Sequence, residues 1–385
     1  MAPNMQILQA ARVNAIMRAL QDTRELPANL IALNRTPIVS ASDGEIMARF
    51  TGRVLIADLV ADDQKAAVYS AGKFTLETSG APNLKLGQML TQEQLKQLEA
   101  ITAAGVNDDT GFFTDTENSI VDALLLGVRQ RMEAICVARW IDGFSYNRLG
   151  IKMENVTWGM PADLKITLEV PITDHANCKI VTYISQLKRR AQVRYGIMYD
   201  RWTLSRAAFD HVIQCDEFKE MARTYLAPNV SFVNLNTADT RSMQTLAERV
   251  FGISEIEFYD SRYWSQDEGG AIVSEPFLPI NKSALSSRAN DNSRQVADFA
   301  NGIPTEVTVS NLVAGTGGMI GSLPRNTRGP IAYATGELNP PQVTYWGVGR
   351  GWSRKHMLQE TAAITLAPAV GDDAIEETIE VGEPF

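Results

Sequence analysis

The sequence predicts an α+β protein built from several segments. Two strand-like stretches face each other at 45–56 and 66–78, one long helical repeat covers 117–142, and helices alternate with strands between 173 and 335. At 385 residues the chain carries a prior of about two or three domains, and 45 % apolar with 21 % charged residues is ordinary for a folded chain.

The first segment reads as an amphipathic arm. Ile7, Leu8, Ala11, Ala15, Ile16 and Leu20 recur at helical spacing, with Arg12, Arg18 and Arg24 between or after them. Pro27 and Pro37 then punctuate an extended stretch. Next, Glu45–Ile56 and Ala66–Thr78 predict a long hairpin, with Phe74, Leu76 and Thr78 alternating and Ser79-Gly80-Ala81-Pro82 closing it.

A helix is expected over Leu90–Gly105, where Thr91 and Gln94 form a capping-box pattern. Thr114 and Glu117 offer a second box ahead of Ile120, Leu124, Val128, Met132 and Ile135, and Gly143 is the expected stop. A helix of about 25 residues spans roughly 38 Å, long enough for a domain spine. Gly150–Trp158 and Leu164–Val170 then predict a second hairpin across Gly159-Met160-Pro161-Ala162-Asp163.

Asp174–Arg194 reads as helical and Gly196–Tyr199 as a short strand. Thr203 is the expected N-cap for Leu204–Gln214, and Asp239 for Thr240–Phe251, which should end at Gly252. Further strands are expected at Ile256–Asp260, Gln342–Val348 and Thr361–Leu366. The chain finishes acidic, with Asp372, Asp373, Glu376, Glu377, Glu380 and Glu383.

Charge and motifs bear on function by exclusion. Lys and Arg total 36 against 45 Asp and Glu, a formal net charge of −9. That balance argues against a general nucleic-acid binder and is enough to explain solubility. The run Lys188, Arg189, Arg190 and Arg194 admits three readings: a nucleic-acid contact, cations favoured at a helix C-terminus, or subunit pairing with an acidic neighbour. Cys136, Cys178 and Cys215 are odd in number and widely spaced, which predicts reduced thiols, with two of them in core.

No catalytic, cofactor-binding or metal-ligating residue is predicted. Gly315-Thr316-Gly317-Gly318-Met319-Ile320-Gly321 misses the GxGxxG spacing at Ile320, and Gly347-Val348-Gly349-Arg350-Gly351 lacks the context that nucleotide binding needs. His175, His211 and His356 form neither HExxH nor HxH. His211 and Cys215 can share a helix face, but zinc needs three or four ligands. Asp62/Asp63 and Asp372/Asp373 are adjacent pairs whose side chains diverge. Residues 1–12 show no secretory leader pattern, and no apolar run approaches about 18 residues, so no membrane span is expected.

The order of arm, hairpin, short helix, spine, hairpin, α/β segment and returning strands resembles the major capsid proteins of tailed bacteriophages, within them the major head protein family of phage lambda. The local cues are Pro37-Ile38-Val39-Ser40, Glu117–Gly143, and Gly196-Ile197-Met198-Tyr199-Asp200 with Trp202 and Phe209. Glu275-Pro276-Phe277-Leu278-Pro279 and Pro330-Ile331-Ala332-Tyr333-Ala334-Thr335 are similar to that family's late strands. The resemblance implies a Hong Kong 97-type fold with an N-terminal arm (1–44) and an extension loop (45–85). A peripheral domain (86–172) would follow, then an axial domain (173–335) and a returning segment with tail (336–385).

It further implies a non-enzymatic subunit that assembles with itself, as hexamers and pentamers, into an icosahedral head around double-stranded DNA. DNA would be enclosed without sequence-specific binding, and an acidic wall would let it slide past. Portal, scaffold and decoration proteins are the implied partners, with the virion as location and the host cytoplasm as the place of assembly. Some relatives cross-link Lys to Asn between subunits; Lys65 and Lys73 lie in the right segment, but cross-linking is not expected here. The competing readings are an encapsulin-like cage, a tail component, and an α/β enzyme with an unrecognised site.

Overall fold

A computed structural model describes residues 29–40, 46–50, 74–78, 82–90, 112–148, 151–225, 240–266, 272–304, 329–338 and 341–367. The amphipathic stretch at 7–20, residues 51–73 of the expected hairpin, residues 91–105 of the expected helix, the cap at Asp239, the glycine run 315–321 and the acidic tail lie outside these residues, and Leu90, expected to open that helix, ends a strand instead.

In chain order the first elements are helix α1 (Ile31–Asn34) and strands β1 (Ile38–Ser40), β2 (Ile46–Phe50), β3 (Phe74–Thr78) and β4 (Asn83–Leu90). Helix α2 (Phe112–Trp140) follows, then β5 (Phe144–Arg148), β6 (Ile151–Val156), β7 (Lys165–Thr167), helix α3 (Ile180–Tyr195) and β8 (Arg201–Leu204). Three helices come next: α4 (Arg206–Gln214), α5 (Asp216–Arg223) and α6 (Thr240–Phe251). The chain continues through β9 (Glu255–Phe258), β10 (Arg262–Gln266), β11 (Ile272–Pro276), β12 (Lys282–Ser286), β13 (Ala297–Asn301), β14 (Ile331–Leu338), β15 (Pro341–Lys355) and β16 (Thr361–Thr365).

The chain divides into two compact units, one of Met1–Met47, Leu76–Glu133 and Asp298–Ser353, the other of Ala48–Thr75, Ala134–Ala297 and Arg354–Phe385. In the first, a five-stranded sheet runs β1-β13-β15-β14, with β4 also paired to β15. Strand β1 is parallel to β13, whereas β14 and β4 are both antiparallel to β15. Helix α2 lays Val121 and Leu125 into a core with Ile331, Ala332 and Val348. The buried Glu133 carboxylate caps α1, accepting the Ala32 and Leu33 amides at 2.8 and 2.5 Å. That satisfies two orphan donors of a helix too short to hold itself.

The second unit is an α/β body around a mixed five-stranded sheet, β7-β16-β12-β8-β9. β8 is parallel to β9, and the chain between them passes through α4, α5 and α6. All four residues of β8 are buried, as expected for a strand covered on both faces. Trp202 sits at its centre, donating its indole N–H to Ser283 Oγ at 3.0 Å and meeting Phe251 edge-on at 4.9 Å. Helix α3 contributes Ile180, Val181, Ile184, Leu187 and Ala191 at i, i+3/i+4 spacing to the same core and ends on Gly196 at φ +68°.

Several local expectations shift. Helix α2 begins at Phe112, so Thr114 lies inside it, and its stop is Asp142 at φ 51° rather than Gly143. The second hairpin is β5–β6, while β7 pairs in parallel with β16. Asp142 explains why: its carboxylate accepts the Trp158 and Met160 amides at 2.6 and 3.2 Å, holding this stretch as a link, not a hairpin turn. Thr203 belongs to β8, and the N-cap of α4 is Ser205, whose Oγ accepts the Ala208 amide at 3.2 Å. Gly196–Tyr199 carries no strand. All three cysteines are buried and free, one more than expected in core.

Candidate functional site

Among the described residues no cluster of reactive side chains stands out, so the surfaces on which the chain can meet other chains come into view. Among the described residues, no group of three His, Cys, Asp or Glu is placed to hold a metal ion. His175 Nε2 and His211 Nδ1 lie 3.0 Å apart, one hydrogen bond joining the loop before α3 to α4. Cys215 Sγ contacts the His211 carbonyl oxygen at 3.4 Å, within helical connectivity and without a ligand geometry. Its thiol pairs with that of Cys178, and this hydrogen bond, followed by burial, pushes the Cys215 thiol up. The same hydrogen bond lowers the Cys178 thiol, and both sulfurs are buried in the core. His356 follows β15, with its amide on the Val296 carbonyl at 2.9 Å.

The glycines at 347, 349 and 351 have a packing role. They lie two apart on β15, so they share one face of the strand. A Cβ at Gly347 would stand 2.9 Å from both Leu124 Cβ and the Leu124 carbonyl oxygen, and one at Gly349 would stand 2.8 Å from Val128 Cγ1. Leu124 and Val128 are one turn apart on α2. On the neighbouring strand, Gly87 lies beneath the Trp346 ring, where a Cβ would come within 2.6 Å. The repeat that resembled a phosphate loop is therefore the seat of the spine helix on its sheet.

The basic run divides by role. Lys188, half-buried and with its ammonium lowered by desolvation, donates to the Phe251 carbonyl at 3.0 Å and to that of Gly252, closing the C-terminus of α6. Arg194 pairs with Asp163 at 2.8 Å. Burial acts to raise the Asp163 carboxyl, but hydrogen bonds from Tyr195 and Arg194 hold it below the usual carboxylate range. Arg189 and Arg190 are exposed on α3. Neither contact serves the end of α3 itself: Lys188 caps the end of α6, and Arg194 pairs with a carboxylate.

Exposed apolar side chains mark the remaining surfaces. β10 and β11 form a two-stranded sheet of their own, with Trp264 opposite Ser274 and Gln266 opposite Ile272. This register puts Trp264 and Ile272 on one face, where they are 71 % and 74 % exposed. The opposite face is anchored: the Tyr263 ring meets Phe277 at 5.0 Å with a 40° tilt, and its hydroxyl donates to Glu275 at 2.6 Å. Among the described strands, β2 and β3 likewise pair with each other alone, within the stretches expected to form a hairpin. Val193 and Met198, near the end of α3, are 76 % and 70 % exposed. Trp264 carried no signal in the sequence, because exposure of an aromatic depends on what fails to cover it.

No family model matches the chain, and no curated protein matches it. Solved structures similar to it include a phage-related protein from Bordetella bronchiseptica RB50, at 11 % identity and TM-score 0.49, covering 93 % of this chain and 98 % of that one. The satellite phage P4 procapsid including size determination protein is similar at 9 % identity and TM-score 0.44, covering 91 % and 98 %. The holo-SrpI encapsulin complex from Synechococcus elongatus PCC 7942 is similar at 11 % identity and TM-score 0.40, covering 91 % and 94 %.

Proposed function

We propose that this chain is the major capsid protein of a tailed bacteriophage, a Hong Kong 97-type subunit that builds an icosahedral head from hexamers and pentamers. The observation that carries this is the order of elements. A terminal segment strapped by β1 to a sheet is followed by paired hairpin stems, one helix of 29 residues, an α/β body, and strands that return to both sheets. The unit of α2 and β15 takes the peripheral role, the α3–α6 body the axial role, and the β2–β3 hairpin the extension over a neighbour.

The physics of the exposed ribbons favours assembly. A two-stranded ribbon is marginal by itself in water, and a Trp and an Ile left open on one face cost solubility unless a neighbour covers them. A heterologous contact repeated around a closed ring covers each copy by the next. Weak contacts multiplied over a shell permit correction during assembly and firmness afterwards. The net charge of −9 suits a wall that encloses DNA without gripping it. Portal, scaffold and decoration proteins are the partners such a shell takes, and the subunit acts without catalysis.

Negative-stain microscopy of the purified chain tests the reading. Hollow polyhedral particles or hexamers are expected, and deleting residues 58–72 should leave a folded subunit that builds none. A chain that stays monomeric at high concentration overturns the proposal.

A further inference from the structure

The outer face of α3 near its C-terminus is built unlike the rest of that helix. Lys188 and Arg194 are tied to α6 and Asp163, but Arg189 and Arg190 are ion-paired with no other described residue. Val193 shares their face, three and four residues on, and Met198 follows just past the left-handed Gly196. At 76 % and 70 % exposure these two are among the most open large apolar side chains described. Two guanidinium groups and Val193 on one helical face, with the exposed Met198 following in the chain, suit a partner that alternates carboxylates with aliphatic groups.

The chain itself carries such a partner. Residues 368–385 hold Asp372, Asp373, Glu376, Glu377, Glu380 and Glu383, with no Lys, Arg or His, and Ile375 and Ile379 stand four apart among them. This segment follows directly on Ala367, which is buried in the same compact unit as α3. Leu366 accepts the Ile172 amide at 3.0 Å, shortly before α3 begins. Eight residues beyond Ala367 reach about 27 Å when extended, and α3 is about 24 Å long. Ile375 can therefore meet any point on that helix.

We propose that the acidic segment 368–385 docks on the α3 of its own chain, with carboxylates on Arg189 and Arg190 and isoleucines against Val193 and Met198. Arg binds carboxylate through two parallel hydrogen bonds, which gives the contact direction as well as charge. The helix dipole opposes anions at this end, and the two guanidinium groups offset it. Tethering supplies an effective concentration in the mM range, so a contact too weak for separate molecules is populated within one chain. The contact is independent of shell assembly.

The full chain with Val193→Cys and Ile375→Cys, mildly oxidised, tests this; the three native thiols are buried and do not compete. An intramolecular disulfide is expected in most molecules. Its yield should fall at least tenfold with Arg189→Glu and Arg190→Glu, and similarly in 1 M salt, where screening acts within about 3 Å. Ile272→Cys with Ile375→Cys is the reference pair. Equal yield there, a bond between two chains, or indifference to the charge reversals overturns the proposal. Hydrogen exchange in the unmutated chain provides a second readout: amides of 186–198 should exchange several-fold more slowly than in a chain whose six tail carboxylates are replaced by amides. Equal rates overturn it as well.

Discussion

Strand β15 packs by subtraction, whereas the ribbon of β10 and β11 presents more than it can use. At Gly347 and Gly349 the strand has given up its side chains so that α2 can approach its backbone. At Trp264 and Ile272 the ribbon keeps two large side chains that no described residue of its own unit covers. The first surface is covered within one chain. The second stays open to solvent among the described residues. A side chain's size therefore does not show whether it belongs to a core; the presence of a partner does.

The contrast is broken most forcefully at the glycines. Gly347→Val should cost about 3 kcal/mol of stability, because the added carbons meet the backbone of Leu124 and not a movable side-chain end. Urea unfolding of the isolated subunit measures it, and a loss under 1 kcal/mol would mean that the helix shifts freely on its sheet.

Lys355 gives the next largest effect. Its ammonium is 1 % exposed, and burial pulls it from 10.5 down to about 8, against the pull of Glu360 and Asp142. Below pH 8 the folded chain holds a charge that the interior disfavours. Between 8 and 10.5 the folded chain gives up a proton that the unfolded chain keeps, so stability rises with pH across that window. Lys355→Met should stabilise the subunit by about 2 kcal/mol at pH 7, part of the gain being lost because Glu360 keeps only Arg139 beside it. The advantage should vanish towards pH 10.5. A melting-temperature difference that ignores pH would refute this account.

Trp264→Ser sharpens the other side of the comparison. It should alter the stability of the isolated subunit by no more than about 0.5 kcal/mol, since the ring is mostly in water. Light scattering should nevertheless show slower or incomplete assembly. If the variant unfolds instead, the ribbon face is structural.

Much of the fold was legible where the pattern is local. Ile120, Leu124, Val128, Met132 and Ile135 mark α2, and all five are buried. Thr240–Phe251 ends at Gly252 with φ +60°, as the glycine foretold. What failed was partner choice over distance. Lys165–Thr167 looks like half of a hairpin, yet its register is set by Ala363–Thr365 at the far end of the chain. The buried pair of Arg139 and Glu360 at 3.0 Å left no sequence signal, since no pattern links residues so far apart. Ser205 displaced Thr203 as a cap because Thr203 is held in the ladder opposite Ala284. Pairing was more legible than exposure: β2 and β3 pair within the stretches expected to form a hairpin, whereas nothing in the sequence marks Trp264 as exposed.

The match of β15 to α2 behaves like a vernier scale. Four helical residues advance about 6.0 Å, and two strand residues advance about 6.7 Å. Gly347 meets Leu124 and Gly349 meets Val128, with a slip of roughly 0.7 Å between them on those rises. At the third division the scales have parted: Gly351 faces Phe299 and Ala300 of β13 instead of Met132. Extending the glycine repeat would therefore not extend the seat, and a longer spine would need a different strand to rest on.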